Sequence, residues 1–130
     1  MMDRLQLNRE VRGEGDDTIL VLSASGYIDA SNVDDFETEV EQSIDDHSNP
    51  KIVVSLHGVE YINSSGLGVL ISASQKLSGA GLFCLAEVPE KVARIIRLLG
   101  FGDVVDMYDS VDAATKFIAE RETQSSEAEN

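Results

Sequence analysis

The run Lys51-Ile52-Val53-Val54-Ser55-Leu56 is β-branched, mostly apolar and of strand length, and it lies between two stretches with helical spacing. Before it, Val33, Phe36, Val40 and Ile44 recur at steps of three and four. After it, Leu67, Leu70, Ile71, Ser74 and Leu77 line one helix face that starts at Ser65, with Gly79 or Gly81 as the stop. A strand entered through a helix and left through a helix belongs to a parallel crossover, not a hairpin.

The flanking segments extend this pattern. Leu5, Leu7, Arg9 and Val11 alternate with polar residues, a half-buried strand whose apolar face is broken only by Arg9. Gly13 to Asp17 is turn material, and Thr18-Ile19-Leu20-Val21-Leu22 follows as a strand covered on both faces. The short turn makes these two antiparallel. Gly26-Tyr27-Ile28-Asp29 leads into the first helix, which Ser31 is placed to cap with Asp34 at the capping-box position, and which stops before Asn49-Pro50. His57-Gly58 reads as a turn into Val59, Tyr61 and Ile62. Leu82 to Ala86 is the next strand, and Pro89 suits the first turn of a helix that buries Val92, Ile95, Ile96 and Leu99 and ends at Gly100. A short strand within Phe101 to Tyr108 precedes a last helix, capped by Asp109 or Ser110, with Val111, Ala114, Phe117 and Ile118 inward. From Arg121 onward there is almost nothing to bury, and a disordered polar tail over 121–130 is expected. The order β-β-α-β-α-β-α-β-α predicts an α/β fold: a mostly parallel mixed sheet of about five strands with about four helices. Right-handed crossovers place consecutive helices on the same face.

Composition narrows the function. The 130 residues carry a net charge of −14, which disfavours a nucleic-acid partner, since binding a polyanion needs clustered Lys and Arg. Asp29, Asp34, Asp35, Glu37, Glu39, Glu41, Asp45 and Asp46 follow one another without a base, either as a solvated helix face or as a surface for a basic partner. Lys91, Arg94 and Arg97 form the one basic cluster, which either balances those acids or docks an acidic partner. No apolar run approaches a membrane span, and the first residues lack the apolar region of a secretory signal, so a cytoplasmic location is expected. Cys84 is the single cysteine and sits in a strand pattern, as a buried thiol would. His47 and His57 have no Cys or carboxylate at metal-ligand spacing, so neither metal nor cofactor is expected.

The polar residues that stand out are Asn63-Ser64-Ser65-Gly66-Leu67-Gly68, at the junction of a buried strand and an amphipathic helix. A serine nucleophile needs a base in reach and an orienting third group, and the Gly-x-Ser-x-Gly elbow is absent here. No catalytic residue is expected, and the chain does not read as an enzyme. Gly66-Leu67-Gly68 lacks both the third glycine of a dinucleotide fingerprint and the Gly-Lys-Ser/Thr of a P-loop, so these glycines read as close helix–sheet packing. Two readings of the serines stay open. One is a helix cap worth about 1 kcal/mol. The other is a phosphate acceptor, at a helix N-terminus whose free N–H groups and dipole tolerate an anion.

Tyr61-Ile62-Asn63-Ser64-Ser65-Gly66-Leu67-Gly68-Val69-Leu70 resembles the hallmark of the STAS-domain anti-sigma factor antagonists of bacteria, which reads aromatic/apolar-x-Asp-Ser-Ser/Thr-Gly-Leu-Gly. Gly26-Tyr27-Ile28-Asp29 is similar to the family's Gly-x-Leu-Asp, and Leu98-Leu99-Gly100-Phe101 also matches. The resemblance spans Leu5 to Ile118 and implies a single STAS domain over 1–120. It implies a switch: the unphosphorylated domain binds an anti-sigma factor that is also a serine kinase, which frees a sigma factor. The kinase then phosphorylates Ser64 (Ser65 is an occasional second site), and a PP2C-type phosphatase resets the cycle. Asp29, Asn63, Ser64, Ser65, Gly66, Leu67 and Gly68 are the partner-binding positions it implies. Asn63 departs from the family's Asp and removes a charge next to the acceptor. The alternative within the family is a non-switching scaffold or adaptor, such as a stressosome-like subunit or a lipid-transporter accessory.

Overall fold

Leu20, Leu22, Ile52 and Val54 point to one side of a central sheet, while Ile19, Val21 and Val53 point to the other, and both sides are buried. That two-sided burial explains the unbroken apolar runs of the central strands, because parallel strands need cover on both faces. The structure, a computed structural model, describes residues 4–15, 18–46, 50–77 and 82–129. In chain order the elements are β1 Gln6–Arg12, β2 Ile19–Ile28, α1 Val33–Asp45, β3 Lys51–Ile62, α2 Ser64–Lys76, β4 Leu82–Ala86, α3 Glu90–Leu98, β5 Asp106–Tyr108 and α4 Val111–Glu129. They form a five-stranded sheet in the order β1-β2-β3-β4-β5, with β1 antiparallel to β2 and all other pairs parallel. The α/β architecture and the element order are those expected from the pattern.

The three crossover helices share one face. Phe36, Val40 and Ile44 of α1, Leu67, Leu70 and Ala73 of α2, and Val92 and Ile96 of α3 join one cluster with the even-numbered β2 and β3 residues. Full burial of a side chain such as Phe36 or Leu70 contributes about 1.5–3 kcal/mol. Helix α4 closes the other face, where Ala114 and Ile118 pack on Ile19, Val21, Val53, Cys84 and Ala86. Ser110 caps α4, its Oγ accepting the Ala113 N–H at 3.0 Å. At the end of α3 the Phe101 N–H reaches the Ile96 carbonyl across a positive-φ Gly100, so that glycine stops the helix as expected.

Several local expectations are corrected. Strands β2 and β3 run on to Ile28 and Ile62, past the expected end at Leu22 and through His57-Gly58, which is not a turn. Gly58 instead lets the strands pass closely, since a Cβ there would lie 2.6 Å from the Ser25 Cβ, and the extra residue is taken up as a register shift. Ser31 does not cap α1. The N-cap is Asn32, without a side-chain cap bond, because its amide is committed to the end of β2: Oδ1 accepts the Asp29 N–H and Nδ2 donates to the Tyr27 carbonyl. On β1 the apolar face ends early. Arg9 pairs with Glu39 and with Asp46 at the end of α1, so Val11 lies past the helix and is 62% exposed. Ile95 and Leu99, expected in the α3 stripe, are exposed, whereas Ala93 is buried in their stead. Of the basic cluster, Lys91 donates to the Glu60 carbonyl and Arg97 to Glu90. Helix α4 extends to Glu129. The expected stops at Asn49 and at Gly79 or Gly81 lie outside the described residues.

Candidate functional site

Ile28 and Ile62 are register partners at the carboxyl ends of two adjacent parallel strands, so the residues that follow them, Asp29 and Asn63, emerge side by side. The Asn63 N–H donates to the Ile28 carbonyl at 2.9 Å, which ties the two exits together. Ligand and partner sites in open α/β sheets recur in this position, outside the carboxyl ends of the strands.

Helix α2 starts at once. Asn63 is its N-cap, in extended conformation, and its Oδ1 accepts the Gly66 N–H at 2.8 Å. The Asn63 carbonyl takes the Leu67 N–H at 3.1 Å. Of the four N–H groups that a helix N-terminus leaves unpaired, the two with no acceptor among the described residues are those of Ser64 and Ser65. Both serines are exposed, and neither side chain acts as the cap. The cap reading of the serines therefore gives way to Asn63.

Gly66 presses this turn onto the strand ends. A Cβ there would lie 2.7 Å from Ile62 Cγ1 and 2.9 Å from Ile28 Cγ2, so the packing expected of the glycines holds at this position. It does not hold at Gly68, where nothing lies within 4 Å of a Cβ and the backbone faces solvent. Leu67 is buried at 5% exposure and belongs to the core. Of the seven expected site positions, the structure thus gathers Asp29, Asn63, Ser64, Ser65 and Gly68 around one accessible patch. Gly66 and Leu67 lie beneath it, where they hold the patch in place.

Asp29 is occupied by its own turn. Its carboxylate accepts the Ser31 N–H at 2.9 Å and the Ser31 hydroxyl, while its carbonyl accepts the N–H groups of Asn32 and Val33. Beside it is a cleft of about 520 Å³, lined by Tyr27, Asp29, Ser31, Asn32 and Asp35 with Arg4 and Leu5. Tyr27 and Tyr61, register partners on β2 and β3, stand with ring centroids 6.2 Å apart, and Tyr61 is half exposed. Sequence reasoning missed this pair, as well as Asn32. The tyrosines were findable in principle, since a parallel register that aligns Ile28 with Ile62 also aligns Tyr27 with Tyr61. No group of His, Cys, Asp and Glu among the described residues could hold a metal ion. No described helix is long and apolar enough to cross a membrane.

Comparison with known proteins agrees with this geometry. The STAS domain family model matches residues 10–114. An anti-sigma F factor antagonist of Paenibacillus polymyxa is 25% identical over 112 residues, which covers 85% of this chain and 96% of that protein. The crystal structure of an anti-sigma factor antagonist from Mycobacterium paratuberculosis superposes with a TM-score of 0.77 at 26% identity, over 89% of this chain and 95% of that one. The Bacillus cell fate determinant SpoIIAA, solved in its phosphorylated form, shares the fold with a TM-score of 0.62 at 16% identity, over 85% of this chain and 99% of that one. The sheet order, the exposed double serine at the start of α2 and these matches agree: the chain belongs to the STAS domain family.

Proposed function

We propose that this chain is an anti-sigma factor antagonist whose partner surface is the patch around Ser64. In the unphosphorylated state it binds an anti-sigma factor that also carries serine kinase activity, and a sigma factor is released. Phosphorylation of Ser64 ends that binding, and a PP2C-type phosphatase restores it. The observation that carries this reading is the exposed Ser64 in the first turn of α2, with Asn63 already acting as cap and the Ser64 and Ser65 N–H groups without an acceptor among the described residues. Among the described residues the hydroxyl makes no hydrogen bond, and an anion on it is accommodated by the N-terminus. The related antagonists and the phosphorylated SpoIIAA structure support the reading by likeness.

For the partner the same phosphate adds about 1.5–2 negative charges to a surface already rich in acids. An affinity loss of about 5–150-fold is the range of a usable switch. The test is incubation with the cognate kinase-type anti-sigma factor and ATP, followed by mass spectrometry and a binding measurement. Phosphate on Ser64 with loss of the complex supports the reading. Phosphate on Ser65 alone, or none, removes the switch.

Asn63 favours a second reading, in which the domain binds without switching, as a scaffold or adaptor subunit. Asn63 performs the capping role that Asp would, but carries no charge for a kinase to engage. Restoring it by Asn63→Asp separates the two, since a faster phosphorylation of Ser64 identifies a weakened switch and an unchanged absence of phosphate identifies a scaffold.

A further inference from the structure

On the face of the sheet that α4 covers, the apolar rows of β2 and β3 turn polar. Val21 is followed on its side by Ser23 and Ser25, and Val53 by Ser55 and His57. Strand β4 ends level with Ser55, whose register partner is Ala86, while β2 and β3 continue to Ile28 and Ile62. This projecting part carries a groove of about 690 Å³, lined by Asn8, Ser23, Ser25, Ser55, His57 and Glu87, among others. A second hollow shares His57, Gly58, Gln6 and Ser25 with it and reaches Arg4 and Glu60. Parallel strands are seldom left uncovered on one face, so an open polar stretch at their carboxyl ends stands out.

Glu87 marks the groove. It is the one non-glycine with positive φ (55°) among the described residues. A glycine would adopt that conformation freely, and strain of this kind is retained where a side chain is needed in one place. The Glu87 N–H is held by the Tyr108 carbonyl at 2.9 Å, and its Oε2 lies 3.2 Å from His57 Nδ1. Imidazole and carboxylate thus form a bracket from the tip of β4 to the projecting part of β3.

The lining decides what fits. Arg4 and His57 face Glu60 and Glu87, so the groove offers no net positive field to an anion, on a chain of charge −14. No aromatic side chain among the described residues lines either hollow, which leaves a nucleobase nothing to stack on. Leu7, Ala24 and Val59 border the hollows but pack into the core on the opposite face, so a lipid finds no apolar floor. What remains is a dense set of hydroxyl, amide, imidazole and carboxylate groups, each able to exchange hydrogen bonds with hydroxyls. We infer that this groove binds a small uncharged polyol or monosaccharide, with vicinal hydroxyls held between the Glu87 carboxylate, the His57 imidazole and the β2 serines. The site is independent of Ser64 and lies on the other face of the sheet from α2.

The test uses the full chain, 15N-labelled, titrated with myo-inositol, with D-glucose and with sodium phosphate. A ligand of about twelve heavy atoms at ordinary efficiency gives a Kd of a few millimolar, order of magnitude. Saturable shifts of the Ser25, His57 and Glu87 amides with either polyol are expected, and none with phosphate. Glu87→Gly relieves the backbone strain while removing the carboxylate, and should weaken the binding about tenfold or more. Asn8→Ala, at an exposed position of β1, should weaken it too, which guards against an altered fold in the first variant. Shifts that never saturate, that persist unchanged in both variants, or that appear with phosphate alone would overturn the inference, as would no shift with either polyol.

Discussion

Gly66 and Gly68 sit two residues apart in the same helix, and alanine should move stability in opposite directions at the two. At Gly66 the added Cβ meets Ile62 Cγ1 at 2.7 Å and Ile28 Cγ2 at 2.9 Å. Both atoms are attached directly to the Cβ of a β-branched side chain in a strand, so neither can swing away without a change of χ1. The first turn of α2 must lift off the sheet or the isoleucines must leave their rotamers, at a cost of about 1–3 kcal/mol for overpacking. Against this stands a gain of up to about 1 kcal/mol from replacing glycine in a helix. The net expectation for Gly66→Ala is a loss of about 1 kcal/mol. At Gly68 no atom lies within 4 Å of the new Cβ, so only the gain remains, and Gly68→Ala should stabilise by about 0.5–1 kcal/mol. The difference between the two variants is therefore about 1.5–2 kcal/mol, or several degrees in Tm for a domain of this size. Urea unfolding followed by circular dichroism measures it, with equal m-values as the check that the unfolded states match. If both variants shift the midpoint the same way, the close approach of α2 to the strand ends is not what requires glycine at 66.

Three further outcomes follow from the same geometry. Asn63→Ala removes the bond to the Gly66 N–H and should cost about 1 kcal/mol in the same assay, whereas Asn63→Asp should cost nothing, because it keeps the cap and adds an anion at the helix N-terminus. Ile118→Ala should cost about 2–5 kcal/mol, since Ile118 is fully buried between α4 and the sheet; a loss under 1 kcal/mol would mean that α4 is a marginal cover. Glu87→Gly should raise the urea midpoint by about 1 kcal/mol of stability through relief of the positive φ, and a lowered midpoint would count against strain at that residue.

What could be read from the residues divides along the line between local and non-local information. The element order was legible because each segment carries its own period, and the two-sided burial of β2 and β3 because unbroken apolar runs have one explanation in a parallel sheet. The candidate site was legible in so far as Asn63 to Gly68 are contiguous. Strand lengths were not. Gly58 looks like a turn residue, and only its approach to Ser25, a neighbour on another strand, shows why a glycine continues the strand. The α3 stripe failed for a related reason. Val92 and Ile96 face the sheet, but Ile95 and Leu99 are equally apolar neighbours on the flank, and a nine-residue helix gives the period too few turns to exclude them. The meeting of Asp29 with Asn63, the Tyr27–Tyr61 pair and the strained Glu87 all depend on register, which no single segment contains.

The position of Ser64 also bears on how a phosphate there would be read. Its side chain is exposed and makes no hydrogen bond among the described residues, and the fold around it is fixed from below by Gly66, Leu67 and the Asn63 cap. A phosphate therefore has no packed element to displace. Lys91, the basic residue at the start of α3, is engaged by the Glu60 carbonyl and is not available to pull a loop over it. The switch proposed above must then act at the partner's surface, by charge and desolvation, with the domain's own fold unchanged. Amide chemical shifts of the phosphorylated chain should change for residues 63–68 and for the neighbouring turn at Asp29 to Asn32, and should stay put in α3, α4 and the core strands. Ser64→Asp supplies one charge where phosphate supplies about two, so it should weaken the complex less than phosphorylation does, with the same restricted pattern of shifts. Changes spread through the α4 face would refute this, because they would require a path from the first turn of α2 through the sheet that the packing does not provide.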